Sequence, residues 1–106
     1  MLTLKTSGRD FQVSFKFGQT EDEIRTTECK IFTDGELAVC GTTYCNPKDN
    51  FSRVEGRKRS FEKAVNSLTD PLFGDKVYSL DGTWESNHQL RTELWNAYFA
   101  LPMKTR

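Results

Sequence analysis

The sequence predicts an α+β fold: an antiparallel sheet of about four strands, followed by two helices packed on one of its faces. Three observations predict it. Apolar residues alternate with polar ones through much of the first 45 residues. An Asp-Gly pair sits between two strand-like runs. Two later segments carry apolar residues at helical spacing, and each opens on a Ser with Glu or Gln three residues on. Strands first and helices after them give segregated layers.

The first strand is marked by Leu2 and Leu4, and Ser7-Gly8-Arg9-Asp10 supplies the turn after it. Phe11, Val13, Phe15 and Phe17 then alternate with Gln12, Ser14 and Lys16, a period of two with one buried face. Gly18 to Glu23 is a polar connection. Ile24 to Thr33 and Glu36 to Cys45 flank Asp34-Gly35, whose residues tolerate the positive φ that a type I′ hairpin turn demands. A plain two-residue turn pairs Thr33 with Glu36, Phe32 with Leu37 and Cys29 with Cys40. That parity makes Cys29 and Cys40 a hydrogen-bonded pair, whose side chains stand further apart, which disfavours a cross-strand disulfide.

The first helix begins at Ser52, with Ser52 and Glu55 as a capping box. Phe61, Ala64, Val65 and Leu68 form its buried stripe, and it should end before Asp70-Pro71. Thr69 to Glu85 reads as a loop, with a short strand at Lys76 to Leu80. The second helix opens at Ser86, with Gln89 completing its box. Leu90, Leu94, Ala97, Tyr98 and Leu101 line one face, Trp95 and Phe99 widen it, and Pro102 stops it.

Composition bounds the function. A chain of 106 residues fits one domain, 1–106, and 36% hydrophobic residues with eight Phe supply a core. Fifteen basic and fifteen acidic side chains cancel, which excludes a globally basic nucleic-acid binder. No apolar run suits a signal peptide or membrane helix, and three cysteines build no disulfide framework, so a cytoplasmic setting is expected. Cys29, Cys40, Cys45 and His88 lack the close CxxC pairs of a zinc site, so no metal and no cofactor is expected. With a single His, no catalytic triad spacing and no Gly-rich phosphate loop, the chain reads as non-enzymatic. The alternating Phe run and the extra aromatics of the second helix suggest more apolar surface than two helices cover, hence a homo-oligomer.

The segment that departs from this pattern is Asp49 to Arg59. It sets Arg53, Arg57, Lys58 and Arg59 in the opening turns of a helix, where the dipole favours acids. An anion held there reverses the sign of that cost. Arg57 falls on the apolar stripe, four residues before Phe61, so it either finds a partner or lines a cleft. Arg59 and Lys63 face away and read as solvated charges. Gly56 admits a close approach by a backbone or a ligand. The structural alternative is that Arg57 pairs with Glu28 or Glu36 on the sheet.

Cys45 with Asp49, Asn50, Phe51, Ser52, Arg53, Gly56, Arg57 and Lys58 resembles a helix-opening motif of small phage-encoded accessory proteins. The resemblance spans about fifteen residues and implies an antagonist of host antiviral defence. It leaves the mechanism open. The leading expectation is sequestration of a phosphate-bearing, nucleotide-like signal. Asn50, Ser52, Arg53, Gly56, Arg57 and Lys58 would form the site, with Trp84 stacking on the ligand. The alternative is an inhibitor that grips a host defence protein, as an anti-CRISPR protein does. A small DNA-binding regulator is the third class, disfavoured by zero net charge, and a nucleic-acid role is otherwise left open.

Overall fold

The protein, described by a computed structural model, is seen over residues 2–6, 10–69, 84–102 and 105–106, with the side chains of 68–69 and 84–88 outside the description. Strands β1 (Leu2–Lys5), β2 (Asp10–Gln19), β3 (Arg25–Thr33) and β4 (Glu36–Cys45) form one antiparallel sheet in chain order. Helices α1 (Arg53–Thr69) and α2 (Trp84–Phe99) follow. The expected α+β architecture is therefore what the chain adopts. The expected strand at Lys76 to Leu80 lies outside the described residues.

The alternation in β2 does what its period requires. Phe11 and Val13 are buried while Gln12 is exposed, and Phe15 and Phe17 are half-buried toward the strand's far end. On β3 the same face carries Thr27, Cys29, Ile31 and Thr33, all buried. The opposite face of β3 carries Glu28 and Lys30, which lie 3.6 Å apart.

The Asp34-Gly35 turn has positive φ at both residues, 53° and 78°, as the hairpin type demands. Thr33 faces Glu36 and Phe32 faces Leu37 as expected. One step later the register slips. Ile31 faces Val39, so Ala38 is an extra residue in β4. Ala38 and Val39 are both buried, a break in alternation that marks the bulge. The expected facing of Cys29 and Cys40 is thereby corrected: Cys29 faces Gly41, and Cys40 faces Lys30. Cys29 is buried and Cys40 exposed on the other side of the sheet, and both are free thiols.

Helix α1 lies across β3 and β4, and α2 packs against α1 and β1. α1 comes close to the sheet at Gly41, where a Cβ would stand 2.7 Å from both the Ala64 nitrogen and the Ser60 oxygen. Only glycine lets the helix backbone rest there. Lys63 Nζ then donates to the Thr42 carbonyl at 3.0 Å. α1 ends at Thr69, before Asp70-Pro71. α2 begins at Trp84, two residues earlier than the Ser86 box suggests, and closes at Phe99 ahead of Pro102.

The sheet and helices enclose one core. Leu4, Phe11, Val13, Cys29 and Ile31 meet Phe61, Ala64, Val65, Leu94 and Tyr98. Phe61 stacks on Tyr98 at 4.6 Å between centroids and takes the edge of Trp95 at 4.9 Å. The apolar surplus that suggested an oligomer is thus absorbed largely within the chain. Leu37, Tyr44, Val54 and Phe99 are the exposed large apolar side chains among the described residues. Among the same residues no helix is long and apolar enough to cross a membrane.

Candidate functional site

The segment between β4 and α1 is held by its own polar groups. The Asp49 N–H donates to the Asn46 carbonyl at 2.9 Å, and the Lys48 N–H to Asn46 Oδ1 at 3.0 Å. The Cys45 thiol lies 3.7 Å from the Asn46 carbonyl and 3.9 Å from that of Asp49. Ser52 caps α1: its Oγ accepts from the Glu55 N–H at 3.3 Å, and its carbonyl from the Gly56 N–H at 2.9 Å. Only this half of the capping box is drawn. The Glu55 carboxylate is turned to Arg59, with Oε2 3.4 Å from Nε.

A cleft of about 230 Å³ opens between this segment, the start of β3, the end of β4 and the first turns of α1. Arg25 and Arg59 bring cations to it, Asp49 and Glu55 bring carboxylates, and Asn46, Asn50 and Ser52 bring neutral polar groups. Tyr44 and Phe51 supply aromatic wall. With the Glu55 and Gly56 N–H groups taken by Ser52, those of Arg53 and Val54 are left as the orphan donors of the helix start, at the positive end of the dipole.

Of the residues expected to form a site, Asn50, Ser52 and Gly56 line this cleft. Arg53 and Arg57 belong to another face of α1. Their guanidinium carbons sit 5.1 and 5.8 Å from the centre of the Phe17 ring. Lys58 is exposed and outside the cleft lining. Trp84 opens α2, and its side chain lies outside the described residues. Arg59, expected to be a plain solvated charge, turns instead onto the cleft.

Arg57 does find a partner, though neither Glu28 nor Glu36. Its Nη2 donates to the main-chain oxygen of Arg106 at 2.6 Å. Arg106 is presented by a turn in which the N–H groups of Thr105 and Arg106 both donate to Pro102 O, at 2.8 and 3.2 Å. The Arg106 guanidinium covers the exposed ring of Phe99 at 5.6 Å. Glu28 is on the far face of β3 beside Lys30, out of reach of α1.

Gly56 admits a close approach, and what approaches is Thr27 on β3. A Cβ at Gly56 would overlap the Thr27 hydroxyl. Thr27 is 1% exposed, and its Oγ1 has no hydrogen-bond partner although the residue lines the cleft. Arg57 Nε and the Tyr98 hydroxyl are also buried without partners. Burial raises the Tyr98 phenol above its ordinary value, and the Arg57 cation opposes that rise.

Sequence reasoning missed Arg25. In the plain hairpin register Arg25 would face Tyr44; the bulge at Ala38 sets it opposite Cys45, at the mouth of the cleft. There its guanidinium lies 5.3 Å from the centre of the Phe51 ring, whose edge meets Phe17 at 6.1 Å. The signal was available in the run Glu36-Leu37-Ala38-Val39, where three adjacent apolar residues interrupt strict alternation.

No family model, curated protein or solved structure matches the chain.

Proposed function

We propose that this chain is a non-enzymatic binding protein whose cleft at the start of α1 takes a phosphate-bearing, nucleotide-like ligand. The observation that carries the reading is the convergence of Arg25, Arg59 and the amide end of α1 on one cavity with a Tyr and a Phe in its wall. A phosphate there accepts from the Arg25 guanidinium and from N–H groups at the α1 start, while a ring rests against Tyr44 or Phe51. Together with the phage-like helix-opening motif, this supports a protein that sequesters a nucleotide signal of host defence in the cytoplasm of the infected cell.

A second reading is an inhibitor that docks on a defence protein. Tyr44, in the cleft wall yet 63% exposed, favours it. Amide-resolved NMR titration with adenosine 5′-monophosphate separates the two. The first reading predicts saturable shifts at Asn46, Asn50, Phe51 and Gly56. Unmoved amides there with all four common nucleoside monophosphates, with adenosine triphosphate and with cyclic diadenylate refute it and leave the docking surface.

A further inference from the structure

The same cleft carries information about which nucleotide it takes, provided the reading above holds. Two cations, Arg25 and Arg59, are matched by two carboxylates, Asp49 and Glu55. Glu55 is already within 3.4 Å of Arg59. The lining is therefore close to neutral, with one cation, Arg25, that has no carboxylate within ion-pair distance among the described residues. A cleft built for a polyphosphate concentrates unopposed cations, and the Asp49 carboxylate adds repulsion with every further phosphate charge. Size points the same way. About 230 Å³ lies below the roughly 300–1,000 Å³ of pockets that enclose drug-sized molecules. A cyclic dinucleotide is larger than such molecules, whereas one phosphate with its sugar fits and leaves the base at the Tyr44 side. Independently of charge, Thr27 in the cleft wall carries a buried hydroxyl without a hydrogen-bond partner, set against Gly56.

We infer that the cleft selects a nucleoside monophosphate over nucleoside polyphosphates and cyclic dinucleotides, and that the Asp49 carboxylate is a specificity-determining group. Arg25 and the α1 start hold the single phosphate. Asn46 and Asn50, with Asp49, face the sugar and base edge, where neutral amides and a carboxylate suit N–H and O–H donors. Asp49 enters the loop's own bonds only through its main-chain N–H and carbonyl, so the change Asp49→Asn leaves the loop fold intact.

The test is isothermal titration calorimetry of the full chain with adenosine mono-, di- and triphosphate and cyclic diadenylate, magnesium being removed by chelator. The other three nucleoside monophosphates serve as base controls. Expected is that a monophosphate binds best and that each added charge weakens binding by about tenfold. Asp49→Asn should shrink that step several-fold, whatever its effect on monophosphate affinity itself. Tightest binding of the triphosphate or the cyclic dinucleotide overturns the inference and spares the broader reading. A charge step unaltered in Asp49→Asn overturns the role of Asp49. Binding of none of the probes overturns the inference and the nucleotide reading together.

Discussion

The two halves of α1 behave as if they came from different proteins. From Ser60 to Val65 the helix is fitted to the sheet. Ser60, Phe61, Ala64 and Val65 have no exposure, and the backbone rests on Gly41. From Arg53 to Arg59 nothing but Gly56 and Arg57 is even half-buried, and four of the seven residues are cationic. The lower half is fixed by volume, where a methylene matters. The upper half is held by charge, a Ser cap and one hydrogen bond to Arg106, interactions of about 0.5–3 kcal/mol each. A helix thus anchored at one end presents its other end, with its dipole, to a cleft. Rigid support below and polar freedom above is an arrangement suited to binding.

The comparison can be broken from below. Phe61→Ala removes the ring that stacks on Tyr98 and meets Trp95, and should cost about 3–5 kcal/mol in urea unfolding. Gly41→Ala forces a methyl group against the backbone of α1 at Ser60 and Ala64 and should cost about 1–3 kcal/mol. Either change acting by less than half a kcal/mol would mean the lower half is not the anchor. From above, Ser52→Ala deletes the acceptor of the Glu55 N–H and should cost about 1 kcal/mol. A larger loss than that of Gly41→Ala would reverse the ranking of the two halves.

The smallest effect is a pH dependence that belongs to the core alone. Burial, with a lesser push from Cys40, holds the Cys29 thiol far above its ordinary value of 9.0. The folded chain keeps a proton that the unfolded chain releases, so stability is full below that pH and falls as pH rises beyond it. Tyr98 adds the same slope from its ordinary value of 10.0 upward. Urea midpoints at a series of alkaline pH values should decline, and Cys29→Ala should flatten the onset near 9.0. An undiminished decline in that variant would assign the slope elsewhere. By the same logic Cys40, exposed, should react with iodoacetamide in the native protein while Cys29 stays unlabelled.

What the sequence disclosed follows from which interactions are local. The Asp34-Gly35 turn, the Phe11–Val13 alternation, the Phe61–Val65 stripe and the end of α1 at Thr69 are all set within a few residues, and all are found. The cap at Ser52 is local too, but Glu55 had two suitors, and Arg59 took its carboxylate. The site was read less well because it depends on non-local choices. One bulged residue moved Arg25 to the mouth of the cleft and parted Cys29 from Cys40. Arg57 was expected either to find a partner or to line a cleft, as a ligand-binding residue; it donates to the main chain at Arg106, a contact that no periodicity reveals. Gly56 was marked as a place of close approach, and the side chain that approaches, Thr27, comes from a strand 29 positions away in the sequence.

The central claim is a division of labour between two arginines: Arg25 serves the cleft and Arg57 the architecture. The most direct measurement compares Arg25→Ala and Arg57→Ala, each by thermal melt and by calorimetric titration with adenosine 5′-monophosphate. The account predicts that Arg25→Ala loses at least about tenfold in affinity with its melting temperature nearly unchanged. It predicts that Arg57→Ala, deprived of its bond to Arg106, loses about 1–3 kcal/mol of stability and keeps its affinity. The crossed result, affinity lost with Arg57 and stability lost with Arg25, would contradict it.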